Sequence, residues 1–187
     1  MPFIKVIQPE KAEGELKVIY EDTLKKRGKI AEVHKIQSLN PQSLVNHMDL
    51  YLTLMFGKSP LRRYQREMIA VVVSSANICR YCIQHHALAL NHFWKDDERV
   101  IQLADDFMKL DLSKTDLLLC HYAHSLTIKP NSINEEEFIV PMKNAGLDDR
   151  AILDAALVTN YFNFVNRMVL GLGVQLEDDG GKGYAYE

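Results

Sequence analysis

Apolar residues recur at three- and four-residue intervals along nearly the whole chain, the spacing of one helix face. Pro9 and Glu10 open a segment to about Lys26 in which Leu16, Ile19, Tyr20 and Leu24 keep that spacing, and Gly28 fits as its stop. Asn40-Pro41 starts a second helix with a stripe of Leu44, Met48, Leu52 and Met55, ended by Gly57. A third begins at Ser59-Pro60, with Ser59 as cap and Pro60 in the first turn. It ends near Ser74-Ser75-Ala76-Asn77, where polar side chains compete with helical backbone bonding. A fourth helix is expected from about Cys79 to His92, and others over 95–110, 113–128 and 134–144. The last opens at Asp148 and passes through Ala151, Leu153, Ala156, Leu157, Phe164 and Met168 to Gly171. Val71-Val72-Val73 has strand propensity, but Glu67 to Ala70 lead into it without a break, so it reads as helix. Nowhere do strands alternate with helices. The pattern predicts an all-α fold in a single domain over 1–176, followed by a polar, glycine-rich tail over 177–187 that should fray.

Composition narrows the classes of function. Nine glycines and six prolines among 187 residues fall below average usage, which favours long regular elements. A chain of this length buries a core without disulfide or metal staples. The formal net charge is −3, and the basic clusters Lys25-Lys26-Arg27 and Arg62-Arg63 are short, so no nucleic-acid partner is expected. The longest uncharged runs, 68–79 and 155–166, are too short for a membrane span of about 20 residues. The start, Met1-Pro2-Phe3-Ile4-Lys5, lacks a basic stretch followed by an apolar one, which predicts no secretory signal. Three cysteines then argue against a secreted disulfide framework and for a cytoplasmic protein.

The chemistry concentrates in residues 67–86. Cys79, Cys82 and His86 are spaced three and four apart, so on one helix they share a face. Cys79 stands at the helix start, where free N–H groups and the positive dipole end stabilise a thiolate. A C-x-x-C pair there can close a disulfide with modest strain. His86 can take and return a thiol proton. Glu67 lies on the preceding helix, and antiparallel packing would bring its carboxylate to the imidazole. A carboxylate, a histidine and two vicinal thiols permit thiolate attack on a peroxide or disulfide, followed by resolution.

Other readings of the same residues stay open. The two cysteines and His86 suit three ligands of a structural zinc, with His121 or His124 as a fourth, or the thiols simply pack in the core. Glu67 alone reads as a solvated helix glutamate and His85 as a surface neighbour of His86. Tyr81 either points at the site or fills space. Cys120 reads as core. Tyr161, Phe162, Phe164 and Met168 read as core or subunit interface, and one of Asn163 and Asn166 as facing a pocket.

With Glu67, Cys79, Cys82 and His86 at these spacings, the chain resembles the alkylhydroperoxidase D-like and carboxymuconolactone decarboxylase superfamily, in its peroxidase-related branch. The Ser74-Ser75-Ala76-Asn77 approach, the small-residue stretch after His86 and the aromatic and asparagine-containing helix before Gly171 extend the likeness. The resemblance implies an all-α AhpD-like helical bundle that assembles as homotrimers or hexamers. It implies a thiol-dependent hydroperoxidase or dithiol–disulfide oxidoreductase working without cofactor or metal. Cys82 would be the attacking thiolate, Cys79 the resolving one, and His86 and Glu67 the proton relay. The implied partners are a small hydroperoxide and an external dithiol or lipoyl-bearing reductant protein. The best-known member has a histidine where this chain has Tyr81. The decarboxylase branch acts on a lactone acid without the thiol pair, so two cysteines favour redox chemistry. A decarboxylase-like lyase with His86 as base, or a non-catalytic zinc-bound or structural assembly, are the alternatives.

Overall fold

A computed structural model describes residues 1–183 of the chain. The described residues contain helices and no strand, in the order α1 (Gly14–Arg27), α2 (Glu32–Lys35), α3 (Pro41–Phe56), α4 (Arg63–Ala76), α5 (Arg80–Trp94), α6 (Asp97–Asp106), α7 (Lys114–Ile128), α8 (Val140–Asn144) and α9 (Asp149–Leu172). Among these residues no helix is long and apolar enough to cross a membrane.

Helix α4 is the axis of the bundle. Every residue from Gln65 to Ser74 is buried, because α3, α5, α6, α7 and α9 pack around it. Continuous burial explains why Val71, Val72 and Val73 need no alternation with polar residues: a helix surrounded on all sides is apolar all round. Glu67 and Arg66 interrupt that apolar surface, and both are engaged. The Arg66 guanidinium donates to the carbonyls of Leu54 and Gly57, each at 3.0 Å, and so closes the unsatisfied C-terminus of α3. Gly57 is required there, since a Cβ would lie 2.3 Å from the Thr53 carbonyl. A smaller cluster of Ala12, Leu16, Tyr20 and Leu44 docks α1 on α3.

Several boundaries follow the sequence signals. Asn40, Ser113, Asn134 and Asp148 accept hydrogen bonds from backbone N–H groups three residues on, and Gly28 ends α1 in the left-handed region. Other expectations change. The first segment is broken: a 3-10 turn over Pro9–Lys11 precedes α1. Ser59 is not a cap; its hydroxyl donates to Asp154 at 2.6 Å, and the helix begins only at Arg63. The segment 134–144 is a π-helical turn, Glu135–Ile139, running into α8. In α9 the buried face is Ala151, Ala155, Val158, Phe162 and Val165 with their neighbours, whereas the expected Leu153, Leu157 and Phe164 are exposed.

The turn between α4 and α5 places the cysteines. Its backbone N–H groups bond back to α4, with Ile78 N–H to Ser75 and Cys79 N–H to Ser74, both at 2.9 Å, the pattern of a helix-terminating αL turn. The αL position is held by Ile78 at φ 57°, a β-branched residue where glycine is usual. The Asn77 amide donates to Asn163 and Asn166 of α9 at 3.0 and 3.1 Å, and Asn166 donates to the Ser74 hydroxyl. The two asparagines therefore clamp the turn to α9. Neither lines the cavity described below, contrary to the expectation that one would face a pocket.

Because Ile78 is 76% exposed, its side chain contributes little packing to offset an αL cost of about 1–2 kcal/mol. Ile78→Gly should therefore stabilise the fold by roughly 0.5–1 kcal/mol after glycine's extra unfolded-state entropy is set against the relief. A urea midpoint that falls instead would show that the Ile78 side chain packs productively.

Candidate functional site

The antiparallel hairpin α4–α5 brings the four motif residues together. Cys79 is the N-cap of α5 and Cys82 lies in its first turn; both thiols are free and buried, with their Sγ atoms 2.9 Å apart. A disulfide bond is about 2.05 Å long, so oxidation needs a closure of less than one ångström. The sulfur–sulfur hydrogen bond splits their acidities. The bond to Cys82 lowers the Cys79 thiol, while the same bond together with burial pushes Cys82 up. The pair therefore resists losing both protons, and the first ionisation favours a Cys79 thiolate.

One turn beyond Cys82, His86 Nδ1 donates to Glu67 Oε2 at 2.6 Å. That bond leaves Nε2 as the nitrogen able to exchange a proton. Glu67 is completely buried, which contradicts the reading of a solvated glutamate. Burial alone would raise its pKa, but His86 and Arg63 outweigh it and hold the carboxyl below the usual range. Arg63 Nη1 stands 2.5 Å from Glu67 Oε1, and its guanidinium lies over the Phe56 ring at 4.3 Å.

Cys82 and His86 line a small cavity of about 80 Å³, and Cys79 does not. Cys79 instead lies at the floor of a groove between the start of α5 and the end of α9. The cavity's far walls come from segments without any motif: Arg27 at the end of α1, Ala31, Val33 and His34 around α2, His47 and Tyr51 of α3, and Tyr161, Phe162 and Val165 of α9. His47 Nε2 meets the Tyr161 hydroxyl at 2.6 Å, and its Nδ1 meets the Gln37 amide at 2.6 Å. Burial holds His47 at about 4 and, with the charges of His47 and Arg27 beside it, His34 at about 3, so both rings are neutral near pH 7. Burial likewise pushes Tyr51 up to about 12. A cavity of this size is smaller than the roughly 150 Å³ void that admits benzene, which suits a compact reacting group.

The tail packs behind two further lining residues, Tyr81 and His85. Glu177 accepts from the Tyr81 hydroxyl at 2.8 Å, from the Glu32 N–H at 2.9 Å and from His85 Nε2 at 2.8 Å. Lys29 pairs with Asp179 and donates to the Lys182 carbonyl. Residues 177–183 are thus strapped across the start of α5 rather than frayed, and 184–187 lie outside the described residues. His85, expected as a surface neighbour, lines the cavity and pairs with the strap. Tyr81 does the same, with its hydroxyl also accepting from Val33 N–H.

The remaining candidates lie elsewhere. Cys120 is fully buried in the core and burial pushes its thiol up. His121 stacks on Phe138, and His124 borders a different cavity beside Phe107. Among the described residues no three His, Cys, Asp or Glu side chains come together as a metal-binding group, so neither histidine completes a zinc site with the cysteines. Sequence reasoning missed His34, His47, Tyr51 and Tyr161. The signal available was weak, a histidine at position 47 on the buried face of α3 among apolar neighbours.

Comparison with known proteins places this geometry. Residues 43–105 match the carboxymuconolactone decarboxylase family. A solved alkylhydroperoxidase AhpD core, a peroxidase-related protein of Ralstonia eutropha JMP134, matches with a TM-score of 0.86 at 22% identity, covering 96% of this chain and 94% of that one. A peroxidase-related protein of Silicibacter sp. TM1040 matches with a TM-score of 0.82 at 28% identity, covering 96% and 91%. The debrominase Bmp8, solved with 2,3,4-tribromopyrrole, shares the fold with a TM-score of 0.77 at 16% identity, covering 96% of each chain. No curated protein matches by sequence.

Two outcomes test this electrostatic arrangement. Glu67→Gln should cost about 3 kcal/mol in denaturant unfolding, because it leaves Arg63 buried without its counter-charge; a cost under about 1 kcal/mol would mean that the ion pair contributes little. The second concerns the strap. Burial opposes ionisation of Glu177, but the His85 and Glu32 hydrogen bonds prevail and hold it at about 2, against an ordinary 4.5. A depressed carboxyl stabilises the strap fully above about pH 4.5, and that contribution is lost as pH falls toward 2. Carboxyl-carbon NMR of Glu177 should show a midpoint near 2 in wild type; a midpoint near 4.5 would mean that the strap contacts are absent in solution.

Proposed function

We propose that this chain, which matches the carboxymuconolactone decarboxylase family over residues 43–105 and shares the fold of solved peroxidase-related proteins, is a thiol-dependent hydroperoxidase, or more generally a dithiol–disulfide oxidoreductase. Cys82 attacks, Cys79 resolves, and His86 with Glu67 carries the proton. The single observation that carries this reading is the placement of Cys82 and His86 on one small cavity, with the Cys79 sulfur 2.9 Å behind and the Glu67 carboxylate fixing the imidazole.

The steps follow from access and acidity. His86 takes one proton from the thiol pair, and the proton that remains moves between the two sulfurs, so that Cys82, which faces the cavity, reacts as thiolate. An S–O bond forms to the hydroperoxide's terminal oxygen as the O–O bond breaks. The alkoxide leaves with the proton from His86 as an alcohol. Cys79 then attacks the Cys82 sulfenic acid; the S–S bond forms and hydroxide departs with the Cys79 proton as water. Two thiols and one hydroperoxide become a disulfide, an alcohol and water, and an external dithiol, a small molecule or a lipoyl-type protein, returns the pair to the thiol state. The readier ionisation of Cys79 suits its role as resolving nucleophile, while access assigns the first attack to Cys82. The exposed stripe Leu153, Leu157 and Phe164 on α9 supports a homo-oligomer, a trimer or hexamer as in the superfamily.

Reduced protein treated with one equivalent of an organic hydroperoxide should form a Cys79–Cys82 disulfide with Cys120 still free, by mass-spectrometric thiol mapping. Cys82→Ser should abolish turnover, and Cys79→Ser should allow at most one oxidation per site. Repeated reductant-dependent turnover by Cys82→Ser protein would overturn the assignment.

A second reading has one observation in its favour. The Glu67–His86 pair is complete without either thiol, and such a base is what a decarboxylase-like lyase needs. Activity on a small keto or lactone acid that survives in the Cys79→Ser/Cys82→Ser double variant would select it.

A further inference from the structure

Among the described residues, the cavity wall contains a cation with no carboxylate paired to it. Arg27 is the last residue of α1, half-buried, and lines the cavity with Cys82 and His86. Its Nε is buried with no hydrogen-bond partner. Arg63 and Arg66 also carry buried N–H groups without a hydrogen-bond partner, but each of them has a charge or carbonyl partner, as does Arg150: Arg63 pairs with Glu67, Arg150 with Asp154, and Arg66 donates to two carbonyls. Among the described residues Arg27 has no carboxylate partner. It is held by two rings and by a hydrogen bond to the Tyr51 side chain, with its guanidinium carbon 5.3 Å from the Tyr51 ring centre and 5.1 Å from that of Phe56. Stacking fixes the plane of a guanidinium while leaving its N–H edge for a ligand. Buried N–H groups without partners are rare enough in folded proteins to need an explanation.

The groups around Arg27 do not cancel its charge. His34 and His47 are neutral, and Tyr51 and Tyr161 keep their protons. Glu67 is already matched by Arg63 and by the His86 hydrogen bond, and Glu177 accepts from His85, Tyr81 and Glu32. The cavity therefore presents a nucleophile on one wall and an unmatched positive charge on another, in a space that admits only a few heavy atoms. An arginine N–H edge in a partly desolvated wall recognises a carboxylate by charge-assisted hydrogen bonds.

We propose that Arg27 is a carboxylate-binding subsite of this cavity, so that the substrate of the thiol pair is a short hydroperoxide bearing a carboxylate. The substrate class rests on the thiol-peroxidase reading; the anion subsite itself does not, and the test separates them. Iodoacetate and iodoacetamide are nearly equal in size and differ by one charge. Each alkylates a thiolate with formation of an S–C bond and departure of iodide, and no oxidant is involved. The rate of Cys82 modification in the reduced full-length protein, followed by peptide mass spectrometry in low-chloride buffer, reads the subsite directly.

Iodoacetate should modify Cys82 at least about tenfold faster than iodoacetamide in wild-type protein, the size expected of a charge-assisted hydrogen-bonded pair. Arg27→Met should erase that preference, and Arg27→Lys should keep part of it. A wild-type preference for iodoacetamide, equal rates, no modification by either reagent, or an unchanged ratio in Arg27→Met would each overturn the subsite. Formation of the Cys79–Cys82 disulfide with a neutral hydroperoxide is scored separately. Its failure with an intact iodoacetate preference removes the peroxidase reading alone, and the reverse result removes the subsite alone.

Discussion

A carboxylate with no exposed surface lies at the centre of this protein, and the site is organised around making it tolerable. Removing one ion from water costs several kcal/mol even after relaxation, so Glu67 persists in the core of α4 only with an ion pair to Arg63 on one oxygen and a hydrogen bond to His86 on the other. Arg63 comes from its own helix, one turn earlier, and is steadied by the Phe56 ring. His86 comes from α5 and makes the neutralising contact depend on the hairpin. The same contact that compensates the burial also sets the imidazole tautomer that faces the cavity. Stability and chemistry here share one hydrogen bond.

The cavity needs more than that hairpin. Cys82 and His86 line it from α5, but its remaining surface is assembled from α1, the segment around α2, α3 and α9, and the C-terminal strap braces the lining residues Tyr81 and His85. Those walls are chemically quiet near neutral pH. The two buried histidines stay uncharged and the phenols stay protonated, so they do not compete for protons with the thiols. In the proposed reaction the protons that move are then confined to the pair of sulfurs and His86, while the stacked Arg27 is proposed to supply a fixed charge.

Much of the architecture was legible along the chain, and for local reasons. Proline in a first turn, a capping Asn, Ser or Asp, and a terminal glycine act within a few residues, and α3, α7 and α9 begin where those signals stand. The signals failed where a distant partner intervened. Ser59 has the look of a cap, but its hydroxyl is taken by Asp154, 95 residues away. The apolar residues of α9 did not show which face is buried, because that helix is apolar on two sides and packing against α4 and α7 selects one of them. The tail looked unstructured by composition, yet one carboxylate finds three donors there.

The sequence by itself determined the helical class, the hairpin and the four residues whose spacing brings two thiols and an imidazole to one face, because helix geometry converts intervals of three and four into neighbours without outside help. It also carried the resemblance that the match over residues 43–105 supports. Only the tertiary structure decided which sulfur meets the cavity, whether Glu67 is solvated or buried, and what the walls are made of. Those properties depend on contacts between residues tens of positions apart, such as His47 with Tyr161 and Tyr81 with Glu177, and on the desolvation that follows once the helices have closed around them. No local spacing encodes that desolvation, and it is what makes the two buried histidines neutral.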